Sequence, residues 1–280
     1  MSPPGRRPGS NRSRPASEDL DVAERVYRPV IRTVLGFFRL LDFQFTIEGE
    51  EHIPQVGGAV LASNHVSYFD FMFVGLVAHP KRRFVRFMAK KSVFDNPVSG
   101  PLMRGMHHIP VDRGAGAAAY DAAVDALRAG ELVGVFPEST ISRAYVPRTF
   151  KTGSARMALD ARVPLLPVVV WGGHRLWTTG HKPKLTRHVP VVIKIGAPIE
   201  LTGAETAVEL TAVLHERMTK LAEEVQRSYP APASVDDAWW QPAYLGGTAP
   251  TLEAAGPIEA AAIEARKAKK QKRRGRKAKR

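Results

Sequence analysis

The chain has 280 residues, 44% hydrophobic and 24% charged, enough for one large α/β domain or two small ones with an independent core. It has no cysteine, which excludes disulfides and thiolate metal sites and is compatible with a reducing compartment. The formal net charge of +14 suggests an anionic partner, yet the last sixteen residues hold eleven Lys and Arg and no acid, and the first seventeen hold four Arg and no acid, so the body between them is near neutral.

The opening MSPPGRRPGSNRSRPAS is rich in Pro, Gly, Ser and Arg, and residues 1–17 are read as a disordered basic tail. No apolar stretch follows these arginines directly, so it does not read as a secretory signal. Residues 18–42 set Val26, Val30, Val34, Phe37, Phe38 and Leu41 at helical spacing among Arg25, Arg28, Arg32 and Arg39. This predicts an amphipathic helix or a helix pair interrupted at Pro29, with Ser17 as N-cap. Its apolar face can lie in a membrane interface or pack onto the domain. No uninterrupted apolar run is long enough for a spanning helix, so any membrane contact is expected to be peripheral.

Over residues 43–230, strand-like runs at 43–49, 58–63, 83–89, 107–111, 132–138, 165–171 and 189–196 alternate with helical segments near 69–79, 115–129, 152–162 and 204–227. Short, two-sided apolar strands between helices predict the α/β class: a single layered domain with a largely parallel central sheet flanked by helices. In such sheets the loops at the carboxyl ends of the strands carry the chemistry. Residues 231–280 are expected to form an extension of low order with a polybasic end, apart from Trp239, Trp240 and a marginal helix in IEAAAIEARKAKK.

Four stretches stand out. GAVLASNHVSYFD places His65 just past a strand and Asp70 early in the following helix. A carboxylate there can fix one ring tautomer and stabilise the imidazolium of a histidine base, or the pair can be a capping histidine and a solvent-facing aspartate. GVFPEST brings Glu138 to the same sheet edge if the two strands are parallel, although Ser139 or Thr140 could simply cap a helix. GMHHIPVDR presents Arg113 after a short strand, and FKTGSARMA sets Lys151 before a helix start, where free amides attract anions. Either cation could equally be an ordinary surface charge.

In order and content, NHVSYFD, GMHHIPVDR, FPEST and VPLLPVVVWG resemble the four blocks of the glycerolipid acyltransferase family that includes the 1-acylglycerol-3-phosphate acyltransferases. The resemblance covers about residues 45 to 200. It implies that His65 is the general base with Asp70 orienting it, that Arg113 and Glu138 help hold a glycerol phosphate acceptor, and that 163–170 forms a structural or acyl-side wall. It further implies direct transfer from acyl-CoA or acyl carrier protein to a lysophospholipid hydroxyl, without a cofactor, metal or covalent enzyme intermediate. Ser139 departs from the pattern, which has Gly there, a residue suited to positive φ.

GAGAAA at 114–119 is a loose dinucleotide pattern better explained by helix packing, and His174, His181 and His188 do not share one helical face around Pro183. The basic end suits an anionic membrane surface, which would place the chain peripherally on the cytoplasmic side of the cell membrane. The competing reading is nucleic acid or RNA bound through phosphate charge.

Overall fold

The computed structural model describes residues 16–112, 116–231 and 237–278. Arg113, Gly114 and the first fifteen residues of the expected basic tail lie outside them. Seven strands form one sheet: β1 (Gln44–Glu48), β2 (Ala59–Ser63), β3 (Val85–Lys90), β4 (Ile109–Val111), β5 (Leu132–Val135), β6 (Leu165–Trp171) and β7 (Pro190–Ile195). Their spatial order is β1-β7-β6-β2-β5-β3-β4, and every neighbouring pair is parallel except β6 with β7. The helices are α1 (Ala16–Leu40), α2 (Asp70–Leu76), α3 (Lys91–Phe94), α4 (Ser99–Gly105), α5 (Gly116–Arg128), α6 (Gly153–Ala161), α7 (Ala207–Arg227) and α8 (Leu252–Ala278).

The alternation within the strands explains the layering. On β2, Ala59 and Leu61 join a core with Phe38, Phe73 and Val77 of the α1 and α2 layer, while Val60 and Ala62 join a core with Ala123, Met157 and Leu214 of α5, α6 and α7. Successive side chains point to opposite faces, so a strand apolar on both must be covered on both. All five residues of β2 are buried, with β5 on one side and β6 on the other. The carboxyl end of the central strand is therefore flanked by two other parallel strand ends, the position at which α/β sheets open a crevice.

Two expectations change. α1 runs through Pro29 as one helix, and Ser17 lies inside it rather than capping it. Proline removes one helical hydrogen bond, but packing holds both halves: Tyr27 and Phe38 are buried, and the Tyr27 hydroxyl donates to the Val85 carbonyl at 2.5 Å. The apolar face of α1 thus packs onto the domain. The C-terminal extension is also more ordered than expected. Trp240 is buried, its carbonyl meets His174 Nε2 at 2.8 Å, and α8 is a 27-residue helix. Its Ala, Glu, Lys and Arg content has high helix propensity without an apolar stripe, which is why periodicity undervalues it. Glu259 of α8 pairs with Arg148 at 2.6 Å. No helix among the described residues is long and apolar enough to cross a membrane.

Candidate active site

The loop that carries His65 begins where β2 stops. Asn64 continues the ladder with its side chain: its amide donates to the Val170 carbonyl at 3.0 Å, and its Oδ1 accepts from the Val170 N–H at 2.8 Å. A primary amide offers a donor and an acceptor together, so it can replace a backbone pair on β6 while the main chain turns away. His65 then sits on the turn, 22% exposed, with its ring stacked on Phe136 at 4.2 Å between centroids.

Asp70 is fully buried at the start of α2. Its Oδ2 accepts from the N–H groups of Val66 and Ser67, each at 2.7 Å, and meets His65 Nδ1 at 3.0 Å. Burial pushes its carboxyl above the ordinary range, while the His65 ring and the two amides pull it back. With Asp70 ionised, Nδ1 carries the proton and Nε2 keeps its lone pair; Nε2 has no hydrogen-bond partner among the described residues. A ring tethered at one nitrogen and open at the other can accept a proton from a bound hydroxyl.

Glu138 reaches this loop because β2 and β5 run parallel side by side. Its Oε1 accepts from the His65 N–H at 2.9 Å and its Oε2 from the Arg148 N–H at 3.3 Å. It is buried, and desolvation pushes its carboxyl up to about 8. Both oxygens accept from main-chain amides, an arrangement that braces the His65 turn; the acceptor contact implied by resemblance is not among these bonds. Ser139 follows with φ of 60°, its N–H donating to the Phe136 carbonyl at 2.9 Å, so the residue that replaces glycine adopts the left-handed conformation glycine would favour. Ser139, Thr140 and Lys151 are exposed, and the Lys151 N–H ties back to the Pro137 carbonyl at 3.0 Å.

Several supports escaped sequence reasoning. Ser142 donates its N–H to the His65 carbonyl at 2.8 Å, the Thr178 hydroxyl donates to the Val66 carbonyl at 2.6 Å, and the Ser67 hydroxyl donates to the Trp177 carbonyl at 3.0 Å. These partners lie far along the chain, and no local spacing announces them. Asn64 escaped it too, although a lone amide side chain directly after a buried strand is a signal that could have found it.

The Acyltransferase family model matches residues 44–171, from β1 through β6. This segment, a little under half of the chain, is similar to the acyltransferase family. The match contains His65, Asp70 and Glu138. A 1-acyl-sn-glycerol-3-phosphate acyltransferase of Bacillus subtilis (strain 168) is 28% identical over 191 residues, 65% of this chain and 89% of that protein. One of the same name from Limnanthes douglasii is 34% identical over 157 residues, 55% of this chain, which spans about half of that relative (53%). The crystal structure of the 1-acyl-sn-glycerophosphate (LPA) acyltransferase PlsC from Thermotoga maritima shares the fold, with a TM-score of 0.60 and 23% identity over 79% of this chain and 86% of that one.

Proposed function

We propose that this acyltransferase esterifies the free hydroxyl of 1-acylglycerol-3-phosphate to give phosphatidic acid, using acyl-CoA or acyl carrier protein as the thioester donor. The observation that carries the reading is the His65–Asp70 pair at 3.0 Å, with Nε2 left open at the carboxyl end of the central strand. His65 takes the hydroxyl proton as that oxygen attacks the thioester carbonyl; the tetrahedral intermediate collapses, the C–S bond breaks, and the thiolate leaves with the proton returned by the imidazolium. Asp70 holds the tautomer and stabilises the imidazolium, and Glu138 holds the turn.

The acyl chain has a place to go. Between α1, α2 and β3 lies an apolar cleft with Phe38, Phe71, Met72 and Phe87 on its walls. Phe87, on the cleft wall, lies 6.3 Å from Phe136, and Phe136 stacks on the His65 ring, so an aromatic pair links the cleft to the imidazole. Lys151 and, outside the described residues, Arg113 remain the cations proposed for the acceptor phosphate. The polybasic end is assigned to an anionic membrane surface, and the enzyme to the cytoplasmic side of the cell membrane as a peripheral protein.

The test is purified protein with radiolabelled acyl-CoA and a panel of lysolipids and glycerol phosphate. Labelled phosphatidic acid from lysophosphatidic acid is expected, and His65→Ala should lower kcat by about 10²–10⁴ while keeping its melting temperature. Wild-type turnover by a folded His65→Ala variant would remove the mechanism. Product from a different acceptor alone would correct the substrate and leave the chemistry.

A further inference from the structure

Two residues of the β5–α6 connection hold the main chain of His65 from both sides: Glu138 Oε1 accepts from its N–H at 2.9 Å, and the Ser142 N–H donates to its carbonyl at 2.8 Å. The imidazole is therefore only as well placed as residues 136–152, which form no helix or strand between β5 and α6. A connection of this length needs support from outside itself, because residues without ladder partners keep conformational freedom. Some of its bonds are internal: the Ser142 hydroxyl donates to the Val146 carbonyl at 2.9 Å, and the Lys151 N–H to the Pro137 carbonyl at 3.0 Å. These shape the connection without tying it to the rest of the domain.

The C-terminal part of the chain supplies that tie at two points. Tyr145 is buried with φ of 57°, a left-handed conformation that a bulky side chain keeps only where its surroundings fix it. Its carbonyl accepts from Gln226 Nε2 of α7 at 2.7 Å, and Gln226 Oε1 accepts from the Tyr244 hydroxyl at 2.6 Å, so one buried amide joins the connection to the C-terminal extension. Three residues on, the Arg148 guanidinium meets the Glu259 carboxylate of α8 at 2.6 Å, both side chains being largely out of solvent. The main-chain N–H of the same Arg148 donates to Glu138 Oε2 at 3.3 Å. Water screens a partly buried ion pair less than an exposed one, so this contact holds its geometry. Gln226, Tyr244 and Glu259 all lie beyond residue 171, where the family match ends. We propose that the C-terminal extension is a strap for the catalytic turn: Glu259, through Arg148 and Glu138, and Tyr244, through Gln226 and Tyr145, are positioning residues for His65. This rests on the reading of His65 as the base.

Variants of the full chain separate positioning from packing. Glu259→Ala removes the carboxylate and leaves α8 a residue of high helix propensity, and Tyr244→Phe removes only the hydroxyl. Each is expected to lower kcat by about threefold to thirtyfold, to change KM for thioester and acceptor by less than about twofold, and to speed amide hydrogen exchange at His65 by about tenfold. The Val170 amide, which Asn64 holds on the β6 side, should exchange at the wild-type rate. Arg148→Gln keeps the main-chain N–H that serves Glu138, so combined with Glu259→Ala it should cost no more than the larger single loss. Thermal melts establish that each variant folds. Wild-type kcat and His65 exchange in either folded variant would overturn that residue's role, and in both would reduce the extension to packing. A lower kcat with unchanged exchange at His65, or losses that add in the Arg148→Gln, Glu259→Ala protein, would also overturn the strap. Faster exchange at His65 with unchanged turnover would support the strap and count against His65 as the base, so the two readings fail separately.

Discussion

The turn at residues 64–70 and the cleft between α1 and α2 lie side by side but are built by opposite means. In the turn, hydrogen bonds from β5, β6 and the segments after them fix the main chain: Asn64 to Val170, His65 to Glu138 and Ser142, Val66 and Ser67 to Asp70, and Val66 to Thr178. In the cleft, contacts are aromatic and aliphatic, as where Phe38 stacks on Phe73 at 5.3 Å and Tyr27 on Phe84 at 4.5 Å. Directional bonds hold a reacting atom to a fraction of an ångström, whereas apolar walls accept a range of chain positions. The difference teaches where substitutions should be felt: at the turn they should change rate, and in the cleft they should change which ligand binds.

The sharpest way to break this contrast is Asp70→Asn. The side chain keeps its shape and can still accept from the Val66 and Ser67 amides, but it loses the charge behind the imidazolium and no longer fixes the Nδ1 proton. Its kcat is expected to fall by about 10²–10⁴ with little change in donor KM, the size of a lost acid–base contribution. A folded Asp70→Asn protein with wild-type kcat would mean that the buried carboxylate serves the loop alone.

Glu138→Gln tests the brace with a smaller effect and a definite pH dependence. Burial raises the Glu138 carboxyl from an ordinary 4.5 to about 8, so folding favours its neutral form. Stability from this source is full below about 4.5 and is lost as pH rises through about 8, a change on the order of a few kcal/mol across that window. Asp70 adds to the upward shift, while Arg148 and the His65 and Arg148 amides oppose it. Glutamine cannot ionise, so the melting temperature of the wild type should fall relative to the variant between pH 5 and pH 9. Parallel curves for the two proteins would show that Glu138 does not titrate in this range.

The same contrast explains how much the sequence disclosed. All seven strands and the helices α2, α5, α6 and α7 were legible because each carries its own pattern: apolar runs for strands buried on both faces, a 3.6 period for helices. His65 and Asp70 were legible because strand end, turn and helix start are contiguous. The antiparallel pairing of β6 with β7 was not, since nothing in PVVIKI states its direction. The cleft was invisible for a related reason. Its walls come from residues 27–38, 71–87 and 106–108, and only the docking of α1 brings them together. Glu138 was placed on the correct edge, but its partners are backbone amides, which every residue has and no motif reports.

The smallest effect belongs to Ser139, at the outer border of the turn. A left-handed φ costs an L-residue roughly 1–2 kcal/mol, which glycine would avoid, but glycine also gains freedom in the unfolded chain worth roughly 0.5–1 kcal/mol. The two nearly offset, so Ser139→Gly should be neutral or raise stability by no more than about 1 kcal/mol. Ser139→Val has no such compensation, because a β-branched side chain crowds the left-handed conformation, and it should destabilise by roughly 1–2 kcal/mol. If φ at this position is what the turn needs, the stability order is Gly at least equal to Ser and both above Val, and kcat follows the same order because the Ser139 N–H closes the turn that carries Glu138 beneath His65. Equal melting temperatures for the serine and valine proteins would mean that the turn relaxes without its left-handed residue, and the rigidity attributed to the reacting loop would then end at Glu138.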